Sequence, residues 1–241
     1  MKREVKLATK EMKNEVLSLM EDKEYVEKHI VYNLVNKVNV RAGEIFDPVF
    51  GNDIGLVYRV VINNESGLVI REDLLSMFDG NIQKLRSIAR KNTPVLRPAK
   101  LKGLKEMIYN LMDEPVPDDI DDFAYVLTNA SGVNGAAAIL YPEAINMIKE
   151  KIHGPFYVIP SSIHEVILLP ADYGDPKDIK DMIMDVNADG IDPLDYLGDD
   201  PIPSTKILKA LNDMAYKTIQ ENEEMINFQK MVISSLMDDI F

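Results

Sequence analysis

The segment FAYVLTNASGVNGAAAILYPEAINM, residues 123–147, decides how the second half of this chain folds. Its opening, FAYVLT, is rich in aromatic and β-branched residues, which predicts a strand over 123–128. NASGVNG reads as a loop, because Gly132 and the Asn134-Gly135 pair suit backbone positions with positive φ. AAAILY predicts a returning strand over 136–141. Pro142 then fits the first turn of a helix that carries Ile145, Met147 and Ile148. His153, Gly154 and Pro155 close that helix in the usual order, so His153 needs no functional role. FYVI and EVILL give two further strands, and the predicted order is ββαββ. Tracing the strand directions puts the NASGVNG loop and the next polar turn, PSSIH at 160–164, at opposite ends of the sheet.

That second turn is the chemically suggestive one. YVIPSSIHEVILLP, residues 157–170, holds two serines, a histidine and a glutamate between apolar runs. A serine nucleophile needs a base within hydrogen-bond reach, and the base needs an orienting acid behind it. On a strand, Ser162 and His164 share one face while Glu165 points to the other, so adjacency does not build a triad. No Gly-x-Ser-x-Gly elbow is present. The same residues serve as turn formers, with Pro160 ending one strand and serine hydroxyls bonding nearby backbone. No catalytic residue is assigned. The alternative is a binding site, because the turn is expected beside the start of the Pro142 helix, whose free N–H groups favour an anion. The candidate binding residues are Tyr141, Ser161, Ser162, His164 and Glu165, with Arg97 as the cationic candidate.

In the first half, the first 36 residues read as helix, with Val26, Ile30, Leu34 and Val35 at helical spacing and His29 beside that stripe. IGLVYRVVI (54–62) reads as a strand, NNESG as a turn and LVI as a second strand. REDLLSMF, NIQKLRSIARK and LKEMIYNLM look helical, and Pro94 and Pro98 predict an extended NTPVLRP. The acidic DEPVPDDIDD is a plausible linker. VVINNESGLVIREDLLSM echoes VLTNASGVNGAAAILYPEAINM, as an old duplication would.

Downstream, Ile179, Met182, Ile183 and Val186 form one face of a short helix opened by Asp175 and Pro176. DVNADGIDPLDYL, from Asp185, resembles the start of a calcium loop, but its twelfth position holds Tyr196 where a bidentate acid is required. No metal ligand is assigned. From Ser204 onward apolar residues recur without Gly or Pro, and a continuous helix there would measure about 55 Å, enough to reach a protein partner or a second copy.

Composition bounds the function. The chain has 241 residues, 46% hydrophobic and 28% charged, with no cysteine, which removes disulfides and thiolate chemistry. No apolar run reaches membrane-span length, and the N-terminal stretch lacks the apolar core of a secretory signal, so a cytoplasmic location is expected. The net charge of −13 argues against direct nucleic-acid binding. Charge is segregated: residues 81–105 hold eight Lys and Arg and no acid, whereas 171–200 hold ten Asp against two Lys. No P-loop, no G-x-G-x-x-G and no H-E-x-x-H occurs, and no cofactor is expected.

YVLTNASGVNGAAAILYP followed by FYVIPSSIHEVILLP resembles the bacterial domain of unknown function 5688 family, and HIVYNLVN and KNTPVLRP sit where that family has similar segments. The likeness spans roughly residues 25 to 200. A more distant resemblance, through the Pro-Ser-Ser segment, is to the domain of unknown function 1444 family. The first resemblance implies a cytoplasmic bacterial protein of a kind found on mobile elements, and carries no activity with it. The expected architecture is α+β, with mixed sheets built from ββα-type units, flanking helices and a C-terminal helical segment. Its expected parts are 1–112, 123–203 and 204–241, in one compact domain. The expected function is a non-enzymatic binding or interaction module. The alternatives are a small-molecule or phosphate-handling enzyme using Ser162 and His164, and an acidic mimic of nucleic acid that inhibits a DNA- or RNA-binding protein.

Overall fold

The computed structural model describes residues 10–62, 67–117 and 122–215. Helices α1 (Lys10–Glu21) and α2 (Lys23–His29) lead into strand β1 (Ile30–Asn36). The expected helix over the first 36 residues therefore stops at His29. Ile30, Leu34 and Val35 belong to a strand whose seven residues are all buried. A strand covered on both faces shows no alternation, and its apolar spacing mimics a helix.

β1 pairs in antiparallel register with β3 (Ile54–Val61), Ile30 opposite Val60 and Asn36 opposite Ile54. On the other side of β3 lie β2 (Asp47–Phe50) and β4 (Gly67–Val69), one along each half. A 3-10 segment, Glu72–Phe78, precedes α3 (Ile82–Leu96). The structure corrects the extended reading of NTPVLRP, because α3 runs through Pro94 and closes with the Arg97 N–H donating to the Thr93 carbonyl. Pro94 forfeits one backbone donor in the last turn. Thr93 holds that turn in place: its Oγ1 donates to the Ala89 carbonyl at 2.5 Å and accepts the Tyr32 N–H at 3.0 Å, which docks α3 on the free edge of β1.

The second sheet has the order β5-β6-β8-β7-β9. Its strands are β5 (Ala99–Gly103), β6 (Tyr125–Asn129), β7 (Phe156–Ile159), β8 (Val166–Pro170) and β9 (Ile202–Pro203). Helices α4 (Leu104–Leu111), α5 (Pro142–Lys151) and α6 (Pro176–Gly190) join them. A further helix runs over 204–215, and the rest of the predicted C-terminal helical tract lies outside the described residues. The α+β class holds, and every pairing in both sheets is antiparallel rather than mixed.

One correction changes the topology. AAAILY is not a returning strand: Gly135–Leu140 is a 3-10 helix with all six residues buried. Its alanines have weak strand propensity and let the backbone pass close to both sheets. Burying Ile139 and Leu140 there contributes roughly 1.5–3 kcal/mol each. The predicted ββαββ becomes a strand, a 3-10 helix, a helix and two strands. The echo between halves fails at the same place, because β3 and β4 form a true hairpin pair whereas β6 has no return strand. The two sheets share one hydrophobic cluster, in which Tyr32 and Leu34 of one meet Leu127, Val158 and Leu168 of the other through this segment.

Candidate functional site

The loop after β6 and the PSSIH turn are in contact, not at opposite ends as expected. With no return strand, β6 and its antiparallel neighbour β8 place residues 129–135 and 162–165 at the same end of the sheet. The Asn134 N–H donates to His164 Nδ1 at 3.2 Å, the Ala136 N–H to the Ile163 carbonyl at 3.1 Å, and the Thr128 hydroxyl to the His164 carbonyl at 2.8 Å. Asn134 takes the left-handed conformation, φ 53°, to aim its N–H there.

Around the turn, Ser162 is 6% exposed, and its Oγ accepts the His164 backbone N–H at 3.0 Å. Ser161 is half-buried and receives the Leu197 N–H on its carbonyl. His164 Nε2 lies 3.3 Å from Asp195 Oδ1, so an acid does stand behind the imidazole. No nucleophile is paired with the ring, because the nitrogen left over by Asp195, Nδ1, is taken by the Asn134 N–H. Glu165 is half-buried alongside and joins neither contact. This corner has the parts of a relay arranged as a clamp.

The other two candidates lie in the interior near β1. Arg97, 9% exposed, donates from Nη1 to Asn33 Oδ1 at 2.7 Å. Burial pushes its guanidinium below the ordinary arginine value, Arg59 pushes it further, and Tyr141 acts in the opposite sense. Tyr141 is 1% exposed and meets Tyr32 edge-on at 6.2 Å between ring centres. Its buried hydroxyl, the Asn33 Nδ2 and the Arg59 Nε find no hydrogen-bond partner among the described residues. Burial also lowers the Arg59 guanidinium. Buried donors without acceptors cost about 1–3 kcal/mol each, so such a concentration asks for a cause.

Arg97 opens on a cavity of about 420 Å³. One wall is the stacked pair Tyr25 and His29, ring centres 3.9 Å apart, locked by the Tyr25 hydroxyl on the Val61 carbonyl and by His29 Nδ1 on the Tyr25 carbonyl. Leu96, Val61 and Ile62 supply apolar surface, and Ala130 and Ser131 close the far side. The 129–135 loop thus has two faces, one clamped by His164 and one lining the Arg97 cavity. Tyr141 and Arg97 come together, and Ser161, Ser162 and His164 come together, but the two groups do not share one pocket. Asn33, Arg59, His29 and Ser131 were not expected. An asparagine inside the apolar run HIVYNLV was the available signal for the first of them.

Elsewhere, Asp47 is saturated by Arg86 and by the Tyr58 hydroxyl, a closed ion-pair network at the β2–α3 junction. The calcium-like stretch begins inside α6, which runs through Gly190, so Asp185 and Asn187 are helical rather than loop ligands. Among the described residues no group of three His, Asp or Glu could hold a metal ion. Only Ile179 and Ile183 of the expected apolar face of α6 are buried; Met182 and Val186 are exposed. Several aspartates of 171–200 are engaged locally. Asp175 caps α6, Asp199 accepts from Asn187 and Tyr196, and Asp200 pairs with Lys180. No helix among the described residues is long and apolar enough to cross a membrane.

A two-sheet antiparallel α+β protein with a clamped polar corner and an open, cation-bearing cavity is the class that fold and site define. A family model described as a family of unknown function, DUF5688, matches residues 1–201, and the chain belongs to that family. No curated protein and no solved structure matches the chain.

Proposed function

We propose that this protein is a non-enzymatic binding module. The observation that supports it is how the Ser162–His164–Asp195 corner spends its groups. The imidazole Nδ1 accepts the Asn134 N–H and Nε2 faces Asp195, so neither ring nitrogen is left to take the Ser162 proton. The corner stiffens the loop that lines the Arg97 cavity, as a binding scaffold requires. An acidic decoy would use the aspartates of 171–200, of which Asp172, Asp178, Asp181 and Asp185 are exposed, whereas Asp175, Asp195, Asp199 and Asp200 have partners in their own fold.

The test is affinity purification of the tagged full chain from its native cell at low and high salt, beside Ser162→Ala. A complex that persists in both the parent and the variant is expected. Turnover of any ester, amide or phosphate substrate by the purified chain that disappears in Ser162→Ala would overturn the reading.

A further inference from the structure

We propose that the cavity beside Arg97 binds a small organic carboxylate. The inference rests on the binding-module reading and names the ligand class for it.

The charge balance is the first support. Arg97 is nine-tenths buried, yet among the described residues no carboxylate lines its cavity. Asn33 Oδ1, its acceptor among the described residues, is neutral. A second cation, Arg59, also acts on Arg97. Removing a guanidinium from water without a counter-ion is strongly unfavourable, and a bound anion removes that penalty. The donor geometry is the second support. With Nη1 committed to Asn33, the Nε and Nη2 edge remains, which is the fork that meets a carboxylate bidentately.

Size and lining give the rest of the ligand. About 420 Å³ lies within the range of roughly 300–1,000 Å³ usual for small-molecule pockets. The Tyr25–His29 stack, Leu96 and Ile62 suit an apolar or aromatic body behind the charged head. One guanidinium at the cavity balances one negative charge, as a carboxylate carries. A phosphate monoester, with a charge of about −1.5 to −2 at neutral pH, would leave an excess.

The test uses 15N-labelled full-length protein titrated with 3-phenylpropionate, phenyl phosphate and benzyl alcohol, followed by arginine side-chain NMR and calorimetry. The expected result is saturable binding of 3-phenylpropionate that shifts one arginine Nε–H signal, with no binding of the alcohol. Affinity should fall about tenfold or more in Arg97→Met, a loss of about 1.4 kcal/mol. Leu96→Trp, which fills the cavity and leaves Arg97 in place, should lose binding as well, so the test does not depend on Arg97→Met folding. Equal affinity in wild type and Leu96→Trp overturns the site, as does absence of saturable binding by the wild type. Tighter binding of phenyl phosphate overturns the ligand class. If the probes fail while the native-cell complex persists, this inference falls and the module stands. Ser162-dependent turnover with Arg97-dependent probe binding would remove the module reading and leave the site.

Discussion

His164 Nδ1 receives the Asn134 backbone N–H at 3.2 Å, joining residues thirty positions apart across the end of the second sheet. Because Nδ1 accepts, the imidazole proton sits on Nε2, facing Asp195. His164→Ala leaves the Asn134 amide without its acceptor. We expect a loss of about 1–2 kcal/mol in urea unfolding. Asp195→Asn, which keeps a hydrogen-bond acceptor, should cost less. A His164→Ala protein as stable as its parent would show that the clamp contributes nothing.

The same corner tolerates no side chain at Gly135. A Cβ there would stand 2.2 Å from Thr128 Oγ1, 2.5 Å from the His164 carbonyl oxygen and 2.6 Å from the Asn129 nitrogen. Two of these are backbone atoms fixed by the sheet and turn. Gly135→Ala should destabilise by roughly 3 kcal/mol or more. Gly132→Ala is the comparison: its φ is +70° with open space around it, so only backbone strain of about 1 kcal/mol applies. Thermal unfolding of both variants checks the ranking.

These two glycines show what the sequence could and could not say. Gly132 and Asn134 take the left-handed conformation expected from residue type, but Gly135, expected there too, does not. Gly135 needs close approach by residues 128 and 164, a tertiary fact with no local trace. Ala136–Leu140 and Ile30–Asn36 were misread in opposite directions for one reason. Burial on every side erases the periodicity that separates strand from helix. Once the 136–141 strand is lost, the direction of everything after it reverses, which is why the loops of Asn134 and His164 were expected at opposite ends of the sheet. Pro94 misled because proline disfavours helix on average, while Thr93 anchors this particular turn. Of the candidate residues, Arg97 and Tyr141 were named from the sequence, but their juxtaposition with Asn33 depended on finding β1.

Arg97 and Asn33 should behave as a buried polar unit. Asn33→Leu removes the acceptor of a nine-tenths buried cation and is expected to cost about 3–5 kcal/mol. The double variant Asn33→Leu with Arg97→Met replaces the unit by apolar groups and should recover most of that loss in the ligand-free protein. Equilibrium unfolding of the two single variants and the double gives the coupling. Additive losses would contradict the unit.

High pH should unfold this protein through its tyrosines. Burial raises the Tyr32, Tyr58 and Tyr141 phenols well above their ordinary value, and burial together with Asp199 pushes Tyr196 up to about 12. A raised folded-state value means the native form holds the proton that the unfolded form releases. The contribution is therefore complete below about pH 10 and is lost as pH climbs through the folded values. Phenolate absorbance followed with circular dichroism should show several of the ten tyrosines ionising only as structure is lost. Smooth ionisation of all ten before unfolding would contradict it.

The outermost strand of the second sheet, β5, carries Lys100 and Lys102 on its rim, and at the opposite rim β9 is only two residues long. Two molecules approaching side by side along β5 would bring Lys100 beside its own copy, Lys102 being paired with Glu106, and along β9 would find almost no ladder to extend. Neither rim of the five-stranded sheet presents the long, uncharged ladder from which open sheets seed filaments.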